Sequence, residues 1–286
     1  MTLPLISAPA LRALLDSGER LLVCDCSFDL ANPAQGEAAH LARRIPGAVY
    51  LHLDRDLSAP KTGQNGRHPL PERANLAAHM AALGCHDGLR VVAYDSQGGM
   101  YAARLWWMLR WLGHGQVQVL DGGMAAWEAA GGALQAGPAV AHAPPPGATL
   151  RLRAPLVQSL DFDSVLAGLG QADRLIVDAR APDRFRGENE TLDPVGGHIP
   201  GAANRFFRDN LLPSGAFKPA EQLRQDWQAV MGQRQPAQLV HQCGSGVTAC
   251  HNLLAMAVAG LDGGTLYAGS WSEWCSRDNA PIALGA

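Results

Sequence analysis

His241-Gln242-Cys243-Gly244-Ser245-Gly246-Val247-Thr248-Ala249-Cys250 is the stretch that decides how this chain is read. It follows the apolar pair Leu239-Val240 and precedes the apolar, helix-like run His251-Asn252-Leu253-Leu254-Ala255-Met256-Ala257-Val258. A strand therefore ends, a glycine-containing loop turns and a helix begins, with Cys243 at the turn. Backbone N–H groups at a helix N-terminus face such a loop, and the helix dipole adds partial positive charge. A thiolate is stabilised there, so the thiol pKa is expected to fall and a nucleophile to form near neutral pH. Gly244 and Gly246 lack Cβ atoms and let the backbone approach the sulfur.

Working outward, the chain repeats itself near half its length. Leu21-Leu22-Val23-Cys24-Asp25 matches Leu175-Ile176-Val177-Asp178 as a buried strand ending in aspartate. Ile45-Pro46-Gly47-Ala48 matches Ile199-Pro200-Gly201-Ala202, and Arg90-Val91-Val92-Ala93-Tyr94-Asp95 matches Gln238-Leu239-Val240-His241-Gln242-Cys243. Asp121-Gly122-Gly123 with Trp127 matches Ala268-Gly269-Ser270 with Trp274. Short apolar strands alternating with helix-like segments predict an α/β fold with a parallel sheet in each half. The Gly/Pro stretch from Gly131 to Pro138, followed by Pro144-Pro145-Pro146-Gly147, reads as a linker. It divides the chain into a domain over 1–145 and a second over 146–286. Asp95 stands where the second copy has Cys243, so the first copy has no thiol at that position.

The 286 residues suffice for two domains of ordinary size, and an apolar fraction of 47% is ample for two cores. A net charge of −3 and the absence of any Lys/Arg run give no pull toward nucleic acid or an acidic membrane. Six cysteines without a CxxC pair make neither a disulfide framework nor a zinc site, so no metal is expected. The N-terminal segment has no basic region leading into a long apolar core, and Arg12, Asp16, Glu19 and Arg20 interrupt the residues after it. Neither a signal peptide nor a membrane helix is expected, and a reducing cytoplasm suits a reactive thiol.

The run Cys243-Gly244-Ser245-Gly246-Val247-Thr248-Ala249 resembles the active-site loop of the rhodanese superfamily, in the form found in 3-mercaptopyruvate sulfurtransferases. The thiosulfate-type loop has Arg then Lys where this chain has Gly244 and Ser245. The resemblance covers nearly the whole chain. It implies two tandem rhodanese-like domains, an inactive N-terminal one and a catalytic C-terminal one. Cys243 would take sulfur from a small anionic donor as a persulfide and pass it to a thiol such as thioredoxin or glutathione, or to cyanide. No organic cofactor is implied. The backbone from Gly244 through Ser245, Gly246 and Val247 to Thr248 would cradle the outer sulfur. Cysteine phosphatases with a similar loop need Cys-x5-Arg, but Ala249 stands at that position, which argues against phosphate-ester hydrolysis.

Arg184 matches the first substrate-binding arginine of the mercaptopyruvate enzymes. Their second falls nine positions later, where this chain has Asp193, leaving Arg186 or Arg208 as replacements. In those enzymes the loop serine works with a histidine and an aspartate, here His68 in Asn65-Gly66-Arg67-His68-Pro69 and Asp54 in Leu51-His52-Leu53-Asp54, which would place the site between the two copies. Sulfur abstraction from mercaptopyruvate leaves an enolate that needs a proton, which a histidine supplies near neutral pH. A protein-to-protein sulfur relay and a non-catalytic binding or redox-sensing protein are the competing functions. The remaining cysteines, and His198, His241 and His251, read as packing or turn residues.

Overall fold

The computed structural model describes residues 3–138 and 148–285. The expected domain boundary between residues 145 and 146, with its run of three prolines, lies outside the described residues. The chain forms two compact units, the first from Met1–Ser58, Pro71–Leu156 and Pro213–Phe217, the second from Ala59–Leu70, Val157–Leu212 and Lys218–Ala286.

The first unit holds β1 (Leu5–Ile6), α1 (Ala8–Asp16), β2 (Leu21–Asp25), α2 (Gln35–Ala42), β3 (Val49–Tyr50), α3 (Arg73–Ala82), β4 (Arg90–Tyr94), α4 (Ala102–Trp111), β5 (Val117–Leu120) and α5 (Gly123–Ala129). The second holds β6 (Gln158–Leu160), α6 (Phe162–Ala167), β7 (Leu175–Asp178), α7 (Pro182–Arg186), β8 (Ala203–Asn204), α8 (Ala220–Met231), β9 (Leu239–Gln242), α9 (Thr248–Val258), β10 (Thr265–Tyr267) and α10 (Ser270–Trp274). Strand order is β1-β5-β4-β2-β3 in one sheet and β6-β10-β9-β7-β8 in the other, every pairing parallel. The two orders are one topology written twice, as the repeat predicts. Central strands of such sheets are covered on both faces and read as unbroken apolar runs; β2, β4 and β7 do so, and their interiors are buried. Two cores result, one around Val23, Val92, Tyr94 and Trp127, the other around Ile176, Val240, Tyr267 and Trp274. No helix among the described residues is long and apolar enough to cross a membrane.

In each sheet the chain leaves one central strand toward the edge and returns on its other side. The switch point therefore falls between β2 and β4 in the first unit and between β7 and β9 in the second. Open α/β sheets bind ligands in the crevice beyond the carboxyl ends of the strands at such a point. The register aligns Asp178 with Gln242, so β7 and β9 end together there.

In the first unit that position is filled by the protein itself. Asp95 follows β4 and is fully buried. Its Oδ1 accepts N–H bonds from Gln97 and Gly99, both at 2.8 Å, and its Oδ2 accepts from Tyr101 at 2.8 Å and Ala102 at 2.9 Å. Burial raises this carboxyl's pKa, and the four donors oppose the rise. Asp95→Asn turns an amide NH2 toward two of those N–H groups. It is expected to cost about 2 kcal/mol or more, read as an earlier urea transition of the first unit, while leaving turnover at the second unit unchanged. A midpoint equal to wild type would show that the nest does not hold a charge.

In the second unit His241, on β9, is fully buried, and neither ring nitrogen has a hydrogen-bond partner among the described residues. Burial pushes its pKa down to about 3. Folding thus favours the neutral ring, and its contribution is complete above about pH 6.5, the unfolded value. It is lost as pH falls toward 3, because the unfolded chain then binds the extra proton. The loss amounts to about 1.4 kcal/mol per pH unit, or roughly 2 kcal/mol between pH 6.5 and 5. Chemical denaturation of wild type and His241→Leu across that range is expected to show a shallower acid slope for the variant; parallel slopes would assign acid sensitivity elsewhere.

Candidate active site

The loop between β9 and α9 is shaped around its cysteine. Cys243 is 2% exposed, and its Sγ accepts N–H bonds from Gly246 at 3.1 Å and Ser245 at 3.4 Å. These are two of the five residues expected to cradle the sulfur. Gly246 has φ +76°, and a Cβ there would collide with the Ala268 carbonyl. Val247 caps α9 and Thr248 is its first residue. The segment after β10 clamps the loop from the side: Cys243 N–H donates to Ser270 Oγ (3.1 Å), Trp271 N–H to the Cys243 carbonyl (2.9 Å), and Ser272 N–H to the Gly244 carbonyl (2.9 Å). Ser270 adopts φ 55°, unusual for a residue with a side chain, and its counterpart Gly123 has φ 56°. The strain, about 1 kcal/mol, is offset by the two hydrogen bonds of the Ser270 hydroxyl, one from Cys243 N–H and one to the Tyr267 carbonyl at 2.9 Å.

Residues Ala59–Leu70 belong to the second unit although the rest of the N-terminal repeat forms the first. Arg67 N–H donates to Ser272 Oγ at 2.9 Å, which fixes this segment beside the loop. The next residue, His68, is buried and places Nδ1 2.7 Å from Ser245 Oγ. Cys243, Ser245 and His68 are thus brought together. Asp54 belongs to the first unit, where its N–H donates to His52 Nδ1 at 3.1 Å.

Charged groups surround Gly244. A Cβ built on it would lie 3.0 Å from Arg67 Nη2 and 3.6 Å from Arg184 Nη2. Arg184, on α7, is held by Glu190 through Nε at 3.1 Å and Nη2 at 2.8 Å. Asp193 bridges the two guanidiniums, 2.5 Å from Arg67 Nη1 and 3.4 Å from Arg184 Nη2. Burial pushes the Asp193 carboxyl up, and Arg67 pulls against it. Burial also raises Glu190, but the Arg184 hydrogen bond and its other donors outweigh it and leave this carboxyl below its usual value. Behind them Arg180 pairs with buried Asp178 at 2.6 Å and lies 4.6 Å over the Trp271 ring. Arg186 is not part of the group: its guanidinium grips Glu188 at 2.7 Å and 2.8 Å. Arg208 lies over the Phe207 ring at 5.9 Å. Arg67 and Ser270 carry no signal of their own in the sequence; adjacency to His68 is the one hint for Arg67.

The pattern of a thiol under N–H donors at the switch point, repeated with aspartate in the first unit, agrees with a family model described as a Rhodanese-like domain, which matches residues 7–130 and 161–277. The chain belongs to the rhodanese family. It is 47% identical to a Pseudomonas aeruginosa protein named "Probable 3-mercaptopyruvate sulfurtransferase", over 98% of both chains. It is 34% identical to a thiosulfate sulfurtransferase of Bos taurus, covering 91% of this chain and 86% of that one. Among solved structures, the 3-mercaptopyruvate sulfurtransferase from Leishmania major superposes with a TM-score of 0.84 at 29% identity, covering 94% of this chain and 74% of that one. The protein is an enzyme, a sulfurtransferase, built from two tandem rhodanese domains.

Proposed function

We propose that the enzyme transfers sulfur from 3-mercaptopyruvate to a thiol or to cyanide through a persulfide on Cys243. The reading rests above all on the 2.7 Å contact between His68 Nδ1 and Ser245 Oγ, beside a cysteine whose sulfur already accepts two N–H bonds. The Cys243 thiolate attacks the donor's sulfur and forms an S–S bond. The C–S bond breaks, and its electron pair stays on carbon as the pyruvate enolate. His68, acting through Ser245, takes the proton of the donor thiol and returns it to the enolate carbon, giving pyruvate and a persulfide anion. The N–H groups of Ser245 and Gly246 hold the negative charge on sulfur. Cyanide, or a thiol such as thioredoxin or glutathione, then takes the outer sulfur and restores the thiolate, so the two half-reactions are expected to follow ping-pong kinetics.

Thiosulfate needs no proton, because sulfite leaves as a stable anion. It would use the cradle and the guanidiniums without the Ser245-His68 pair. Steady-state kcat/KM for both donors, with cyanide as common acceptor, tests the assignment. A preference for 3-mercaptopyruvate is expected, whereas a preference for thiosulfate would remove the proton relay from the mechanism.

A further inference from the structure

We infer that residues 282–285, beyond α10, form a strap that positions α7 and the loop after it for the donor half-reaction, with Ala283 as its positioning residue. The inference rests on the proposed transfer at Cys243 and adds an element that no step of that transfer touches. α7 carries Arg184, and residues 187–197 after it carry Glu190 and Asp193. That loop contains neither helix nor strand, yet it holds two carboxylates that are each only 4% exposed. A segment of this kind keeps one conformation only where contacts offset the entropy of ordering it and of closing its base. The base is drawn tight at two glycines, for a Cβ built on Gly196 would lie 3.0 Å from Gly187 Cα.

Residues 282–285 lie across that base. Ala283 and His198 exchange backbone bonds, each N–H donating to the other's carbonyl at 2.9 Å, and Gly285 N–H donates to the Arg186 carbonyl at 3.1 Å. The strap thus grips the chain just before the loop and just after it. Leu284 Cδ2 fills the gap, 2.7 Å from where a Gly187 Cβ would stand and 3.1 Å from where a Gly197 Cβ would stand. Gly197 has φ +119°, and a Cβ there would also fall 2.5 Å from the Ala283 carbonyl oxygen, so both glycines make room for the strap. The strap is tied to the core by fully buried Trp274, whose Nε1 donates to the Pro281 carbonyl at 2.9 Å. Toward the site, His198 Nδ1 donates to the Phe185 carbonyl at 2.9 Å, and its ring stacks on Phe185 at 3.8 Å. Phe185 adjoins Arg184, so a shift of the base passes directly to that guanidinium. Two other bonds hold the loop, from Trp271 Nε1 to the Val195 carbonyl and from Arg180 Nη2 to the Gly197 carbonyl. The Cys243 cradle is supported separately, by Ser270 and the Trp271 and Ser272 N–H groups. Loss of the strap should therefore loosen the donor side and spare the cradle.

The test compares the full chain with a chain ending at Ile282, with Ala283→Pro, which removes one N–H donor, and with Ala283→Ser, which keeps both bonds. In a ping-pong scheme kcat/KM for the donor reports the first half-reaction alone, and kcat/KM for cyanide the second alone. The shortened chain is expected to lose about tenfold or more in kcat/KM for 3-mercaptopyruvate, and Ala283→Pro about fivefold. Ala283→Ser should stay near wild type, and the cyanide value should stay within about twofold in every variant, because the cradle is intact. Limited trypsin digestion read by mass follows the same loop without turnover. Cleavage after Arg184 and Arg186 is expected to be about tenfold faster or more in the shortened chain. Donor kcat/KM and cleavage rates equal to wild type, or equal losses for donor and cyanide, would overturn the inference. If the shortened chain does not fold, Ala283→Pro against Ala283→Ser decides alone. Absence of turnover in wild type would count against the proposed transfer instead, and the digestion rates would still decide the strap.

Discussion

Cys243→Ser is expected to reduce sulfur transfer from either donor to background, a loss of at least about a thousandfold in kcat, with the thermal midpoint within a few degrees of wild type. A serine hydroxyl can accept the same N–H bonds from Ser245 and Gly246 that the sulfur accepts, so the loop keeps its support. It cannot form a persulfide. The other cysteines offer no substitute. Burial raises the thiols of Cys24 and Cys26 well above their ordinary value, pushes Cys85 up to about 12 and Cys275 up to about 11. At neutral pH these remain protonated and poorly nucleophilic. Cys250 spends its S–H on the Gly246 carbonyl at 3.2 Å. Steady-state assays with cyanide measure the loss, and residual transfer above the uncatalysed rate would place the sulfur carrier elsewhere.

His68→Ala is expected to separate the two donors. With 3-mercaptopyruvate kcat should fall by about 10²–10⁴, the usual worth of a positioned proton carrier. With thiosulfate the change should stay within about tenfold, because no proton moves. The alanine also leaves the buried Ser245 hydroxyl without its 2.7 Å partner, so some loss of stability accompanies it. His68→Gln addresses this: an amide can still bond Ser245 but carries no proton near pH 7. If Gln restores stability while mercaptopyruvate turnover stays low, the role is proton transfer. Equal losses for both donors in both variants would reduce His68 to support of the loop.

The parts of the fold and site that show in the sequence are those written in contiguous runs. The strand–cysteine–helix stretch at 239–258 and its counterpart ending in Asp95 are local, and each places a loop at a strand end. Asp95 also signals that its unit carries an internal carboxylate at that position. The exchange of segments shows only in part. Residues 59–70 fold with the second unit and 213–217 with the first. The loop between Asp56 and Pro71 is rich in Gly, Pro and polar residues, as expected for a segment that reaches a neighbouring domain, whereas nothing in composition or periodicity marks the second crossing. Arg67 is therefore separated by more than half the chain from the loop it faces.

Arg184 and Arg186 illustrate the remaining limit. Both sit on α7, two residues apart, and helical positions i and i+2 do not share a face. Only one can turn toward Gly244. It is Arg184, and Arg186 takes Glu188 instead. Ser270 could not be singled out either, because its left-handed backbone is imposed by the loop it clamps rather than by its own type.

The most direct measurement is the intact mass of the wild-type enzyme after incubation with 3-mercaptopyruvate and no acceptor, with the site located by peptide mapping. A persulfide mechanism predicts a gain of one sulfur atom on the peptide containing Cys243, pyruvate formed in equal amount, and loss of the added mass when cyanide is supplied. An unchanged mass while transfer still turns over, or a sulfur found on another cysteine, would contradict it.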